Sequence, residues 1–151
     1  MPIREAESAL SQAGVEIGSH TRHHVDLAKI DEPTLLHDEV ITASQDLEQA
    51  IGQKIRYFAF PFGQKCNLNP QVFESLKANG FAGACSAYGG LNAIGGDAFH
   101  LQRVHGDPMF PRLRNWLTYD PRLLALEPYQ YANQPVAAAM PPTCPIEETV
   151  Q

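Results

Sequence analysis

The sequence predicts an α/β domain in which helices cover parallel strands. Three observations lead there. Helix-period and strand-like apolar patterns alternate over the first hundred residues. Glycine or proline punctuates most of the boundaries between them. The 151 residues suffice for one domain and not comfortably two.

Each element has a local reason. Ile3, Ala6, Ala9, Leu10 and Ala13 recur at helical spacing, and Gly14 is a natural stop. Residues 15–18 read as a short strand that leads into a polar loop. Asp31 is placed to cap a second helix, with Pro33 in its first turn. The apolar stripe of that helix is Leu36, Val40, Ala43, Leu47 and Ala50, and Gly52 ends it. Residues 55–60 form a β-rich run, a buried strand that Pro61-Phe62-Gly63 stops. Asn69-Pro70 opens a third helix through Lys77, closed by Asn79-Gly80. Residues 81–86 are the next strand. Residues 88–97 hold four glycines and read as a loop, and residues 99–104 are the last strand. Four strands are half of a (β/α)₈ barrel. An open four-stranded sheet and a piece of a larger barrel both fit this pattern.

Beyond Asp107 the character changes. Residues 111–119 carry Leu113, Trp116 and Leu117 and read as one short helix. From residue 127 the chain is rich in Pro and Ala without periodicity, so 127–151 is expected to be a flexible tail.

Composition narrows the function classes. Hydrophobic residues are 44% and charged residues 19%, a globular balance. The net charge of −6 argues against sequence-independent nucleic-acid binding, which needs a basic face. No apolar run is long enough to span a bilayer, and the first residues lack an apolar signal core, so no membrane span or export signal is expected here. Cys66, Cys85 and Cys144 are odd in number and widely spaced, unlike a disulfide framework or a zinc ribbon, and Cys66 is expected to be unpaired.

Two stretches carry chemistry. In Gly18-Ser19-His20-Thr21-Arg22-His23-His24, His20 and His24 stand four apart just after a strand. One turn of backbone there brings both imidazoles to the same side, as a zinc or similar divalent site requires. His23, three residues from His20, is an alternative ligand. The same residues also fit a polar surface loop. Position 21 is Thr, so the Glu of a zincin helix is absent. Arg22 must point outward if a cation binds. In the second stretch, Phe58-Ala59-Phe60-Pro61-Phe62-Gly63, an apolar strand ends in a rigid turn. At the C-terminal end of a parallel strand, its free backbone N–H groups could face a developing oxyanion. A strand-ending turn packed on the core is the plainer reading.

Together, residues 16–27 and 58–63 resemble the polysaccharide deacetylase family (carbohydrate esterase family 4). One amphipathic helix separates them, as in that family. Residues 80–84, 89–92 and the Leu101-Gln102-Arg103-Val104 strand are similar to its later region. The resemblance covers roughly residues 3–107 and makes residues 1–126 the deacetylase-like domain. It implies a partial, distorted (β/α) barrel. It implies hydrolysis of N-acetyl or O-acetyl groups on an acetylated polysaccharide or oligosaccharide, assisted by a divalent metal, most often zinc. By position, His20 and His24 match the two metal histidines. The backbone at Phe62 matches the oxyanion-stabilising turn. Arg103 matches the late arginine that helps hold the catalytic aspartate, and His105 lies where a general acid could act.

The sequence also departs from the family. Its Thr-Phe-Asp-Asp-Gly motif, which supplies the base and a third metal ligand, has no counterpart before His20. Asp26 is the first aspartate and stands too close to the histidines to replace it. Asp26 matches instead a structural His-x-Asp-Leu turn. Ala59 stands where many members have Arg. The expectation is an incomplete centre and an open barrel edge prone to self-association. A catalytically inactive module that binds carbohydrate or metal is the alternative, with Tyr57, Phe62 or Trp116 stacking on sugar rings.

Overall fold

The computed structural model describes residues 9–10, 12–87, 92 and 94–103. The expected helix at 111–119, the tail at 127–151, Trp116, Cys144 and His105 lie outside the described residues, as does much of the glycine-rich loop.

Near the start, Ala9, Leu10 and Gln12 are helical. Gly14 stops the helix as expected, at φ +86°. The Val15 N–H reaches back to the Leu10 carbonyl at 3.0 Å, a 6→1 closure that only a left-handed residue at position 14 permits.

The second helix is composite. It runs as α1 (Pro33–His37), a π-helical segment (Asp38–Thr42) and α2 (Ala43–Ile51). Pro33 opens it, but the preceding cap position is Glu32, without a side-chain cap bond, and not Asp31. Gly52 closes it at φ +72°. In the π segment the Ala43 N–H reaches the Asp38 carbonyl, five residues back. The wider turn brings three consecutive residues inward, so Glu39, Val40 and Ile41 are all buried. The buried face then continues at Ser44, whereas Ala43 and Leu47 of the expected stripe are half-buried.

The strands are shorter than the apolar runs that encode them. β1 is Tyr57–Ala59, β2 is Gly83–Ser86 and β3 is Leu101–Gln102, parallel and in the order β1-β2-β3. The strand expected at 15–18 is reduced to one parallel bridge, Ser19 beside Phe58. Ser19 N–H donates to the Tyr57 carbonyl and its carbonyl accepts from Ala59 N–H. Of the strand expected at 99–104, Leu101–Gln102 is strand, preceded by a 3₁₀ turn, Ala98–His100, capped by the Asp97 carboxylate. Helix α3 (Pro70–Ala78) follows expectation, with the Asn69 side chain capping the Gln71 N–H. Among the described residues the sheet is three parallel strands and is not closed.

The core lies between this sheet and the helices. Phe58 and Phe60 point to one side of β1 and are fully buried, with rings 5.2 Å apart at 90°. Phe73 of α3 packs on Phe60 at 4.9 Å. Leu27, Leu36, Val40, Ile41, Leu68, Val72, Leu76 and Ala84 complete the cluster. Each of these side chains larger than alanine contributes roughly 1.5–3 kcal/mol. Gly83 is required by close approach, since a Cβ there would lie 2.2 Å from the Ala98 carbonyl oxygen.

Disulfide chemistry departs from expectation. Cys66 is disulfide-bonded. Cys85 on β2 is a free thiol whose pKa is raised by burial.

Candidate active site

The parallel strands end at one rim, and the two chemical stretches meet there. The bridge at Ser19 sets His20 beside the end of β1. The His20 Nδ1–H donates to the Ala59 carbonyl at 2.7 Å, which leaves Nε2 as the nitrogen with a free lone pair. Burial pushes the His20 pKa below its ordinary value. The Ala59 carbonyl opposes this, and the charges of Arg103 and His24 add to it. The neutral imidazole, the ligating form, is thereby favoured.

His24 packs edge-on against His20, with ring centroids 4.9 Å apart at 76°. No helical turn brings them together. Thr21 and His24 instead adopt left-handed backbone, φ +64° and +56°. The Thr21 hydroxyl accepts the His24 N–H at 2.9 Å, closing the loop on itself. His23 turns instead toward the second helix, its Nδ1 bonded to Glu39 Oε1 at 2.5 Å. Arg22 points away from the pair, as a cation site requires, and bonds Asp46 at 2.7 Å and Asp38 at 3.3 Å.

The Pro-Phe-Gly turn stands against the same histidine. Phe62 has φ +59°, and the Gly63 N–H donates to the Pro61 carbonyl at 2.6 Å, a γ-turn. Phe62 is 55% exposed, and its ring sits edge-on to His24 at 5.1 Å. Gly63 N–H is therefore spent in the turn. The Phe62 N–H has no protein acceptor among the described residues. Gly63 itself, at φ +69°, has no room for a side chain. A Cβ would lie 2.7 Å from Ala87 and 2.8 Å from Arg103 Nη2.

Arg103 locks the rim. Its Nη2 donates to the Phe60 carbonyl at 2.7 Å and its Nε to the Ser86 carbonyl at 2.9 Å. It thus ties the ends of β1 and β2. Burial pushes its pKa down, yet a guanidinium stays charged. No carboxylate pairs with it among the described residues.

Asp26 is structural. One carboxylate oxygen caps Ala28 N–H and the other accepts from the Asn67 side chain at 2.9 Å, linking the loop to the turn region. Among the described residues no group of three His, Cys, Asp or Glu side chains could hold a metal. The donor chemistry of His20 and His24 fits two positions of a zinc-type centre. A carbonyl on Nδ1 is the usual outer partner of a ligating histidine. No third such side chain stands with them among the described residues.

Glu39 was not singled out from the sequence. Its signal was a lone acid on an apolar stripe, three residues after Leu36. A cavity of about 300 Å³ lined by Glu16, Ile17, Ile51, Gln53, Lys54 and Arg56 lies at the opposite end of β1 and shares no residue with the histidines.

The profile of the polysaccharide deacetylase family matches residues 5–84, more than half of the chain and all of both motifs. The chain belongs to the polysaccharide deacetylase family. Solved structures of similar fold agree. A Streptococcus pyogenes deacetylase, PplD, in complex with acetate superposes with a TM-score of 0.65 at 17% identity, over 77% of this chain and 50% of that one. A polysaccharide deacetylase from Bacillus cereus gives 0.59 at 19%, over 76% and 36%. A de-N-acetylase from Aggregatibacter actinomycetemcomitans gives 0.58 at 21%, over 75% and 52%. At these identities the likeness is one of fold. This deacetylase-family chain spans about half, or less, of the length of these structures. No curated protein matches it in sequence.

Proposed function

We propose that this chain carries the histidine half of a metal-dependent deacetylase centre, acting on an acetylated polysaccharide or oligosaccharide within a partial, distorted (β/α) barrel. The observation that carries the reading is the meeting of His20, His24 and Phe62 at one rim, with ring separations of 4.9 and 5.1 Å. The family match supports the hydrolase class.

His20 and His24 would hold a divalent ion, zinc by the chemistry of the donors. When bound, such an ion polarises an acetyl carbonyl and lowers the pKa of its water. The residues of the chain do the rest. The Ala59 carbonyl keeps His20 in the tautomer that offers Nε2. The Phe62 N–H is free to donate to the acetyl oxygen as charge develops on it. The γ-turn holds that N–H in place before the reaction. Arg103 keeps N–H groups beyond its two carbonyl bonds and would orient a carboxylate base brought to the rim; none pairs with it among the described residues. His105 would protonate the leaving nitrogen or oxygen. Water, giving a proton to such a base, would add to the acetyl carbon; the bond to the sugar nitrogen or oxygen would then break, the leaving atom taking its proton from His105, and acetate would leave.

The test is elemental analysis of the purified chain beside His20→Ala and His24→Ala, with deacetylation of an acetylated chito-oligosaccharide assayed on the same samples. Near-stoichiometric zinc that both substitutions abolish is expected. Zinc that survives both, or a chain that binds none, overturns the reading.

A further inference from the structure

The loop between the two histidines is unfavourable on its own. Two non-glycine residues in left-handed backbone, Thr21 and His24, persist only when their surroundings hold them. The residues between them, Arg22 and His23, carry backbone N–H groups that need acceptors. Both donate to one oxygen, Glu39 Oε2, at 3.0 Å each. The other oxygen, Oε1, takes the His23 ring at 2.5 Å.

Glu39 is only 2% exposed. A carboxylate in that position is costly unless several donors meet it, and here three do. It reaches them because the π-helical segment widens the helix at Glu39, turning the residue inward between Leu36 and Val40. The Arg22 side chain adds a second tie from the same helix, to Asp38 and Asp46, but that tie is exposed.

We infer that Glu39 is the positioning residue of the histidine loop: its buried carboxylate, by binding the Arg22 and His23 amides, sets the spacing of His20 and His24. The inference rests on these two histidines being the metal pair. Glu39 touches neither the substrate nor the ion in this scheme and acts on the pair through the loop between them.

The experiment is calorimetric titration of the full chain with zinc chloride, together with amide hydrogen exchange. Glu39→Met fills the same space without an acceptor. It is expected to bind zinc about 10–100-fold more weakly while still melting cooperatively. Glu39→Gln keeps an oxygen for the two amides and is expected to restore affinity to within a few-fold of the wild type. His23→Ala removes only the ring contact and is expected to match Glu39→Gln. A Glu39→Met chain that binds zinc like the wild type, or a Glu39→Gln chain that fails to restore it, overturns the inference. Should Glu39→Met not fold, exchange in the wild type decides: the Arg22 and His23 amides are expected to be protected, and exchange at unstructured rates overturns the proposal. Zinc binding that survives His20→Ala and His24→Ala removes the metal-pair reading instead. The exchange measurement then still decides whether Glu39 holds the loop.

Discussion

His20 Nδ1 donates to the carbonyl of Ala59 at 2.7 Å, across thirty-nine residues of sequence. This one bond joins the histidine loop to the strand that ends in the Pro-Phe-Gly turn. It fixes the imidazole tautomer and aligns the two motifs at one rim. Disturbing the frame around it has measurable consequences.

Arg103→Lys is expected to destabilise the chain by about 1–3 kcal/mol. Arginine spans the Phe60 and Ser86 carbonyls with two N–H groups of one rigid plane. A lysine ammonium is a point donor on a flexible stem and cannot reproduce that fork. Urea unfolding of the two proteins under identical conditions measures the difference.

Gly63→Ala is expected to cost about 1–3 kcal/mol from the backbone conformation alone. The collision of a Cβ with Ala87 and Arg103 adds to this, since backbone atoms are among those it meets. The same substitution at Gly52, also at positive φ but with open space around it, is expected to cost less. Thermal melts of both variants provide the comparison.

Asp26→Ala removes the cap of a 3₁₀ turn, Leu27–Lys29, worth about 0.5–2 kcal/mol, and the acceptor of the Asn67 side chain. Stability is expected to fall while zinc stoichiometry is unchanged, because Asp26 is a structural tie. Loss of bound zinc in a folded Asp26→Ala chain would make it a ligand instead.

The Glu39 carboxyl titrates below the ordinary glutamate range. Burial works to raise its pKa, but the His23 ring and the two backbone N–H groups outweigh that. A carboxyl whose native pKa is depressed adds stability that is complete above its unfolded value. That stability is lost as pH falls through the unfolded value toward the native one. The wild-type urea midpoint is therefore expected to drop in acid more steeply than that of Glu39→Gln, which has no carboxyl to protonate. Parallel midpoints across the acid range would contradict this.

Much of the frame was legible in the sequence, for local reasons. Gly14 and Gly52 end helices where a left-handed residue is needed, and Asn69 caps α3 through its own side chain. Phe58 and Phe60 alternate with half-buried neighbours, as a strand facing helices demands. The misreadings came from non-local terms. Residues 15–18 look like a strand, yet only Ser19 bridges to β1. Asp31 has the chemistry of a cap, but the helix begins with Glu32 as its cap position. The register of the apolar stripe shifted because the π segment inserts a wide turn, which no simple helical period encodes.

The sequence by itself determined the family, the α/β order and the identity of the paired histidines, because these rest on residue types and short spacings. Only the tertiary structure decided how the histidines meet, that His23 belongs to Glu39, and that Arg103 closes the rim. Those facts depend on backbone atoms and side chains brought together across 16 to 43 residues. A carbonyl or an amide has no letter of its own in a sequence. Its role at the site exists only once packing has fixed where it points.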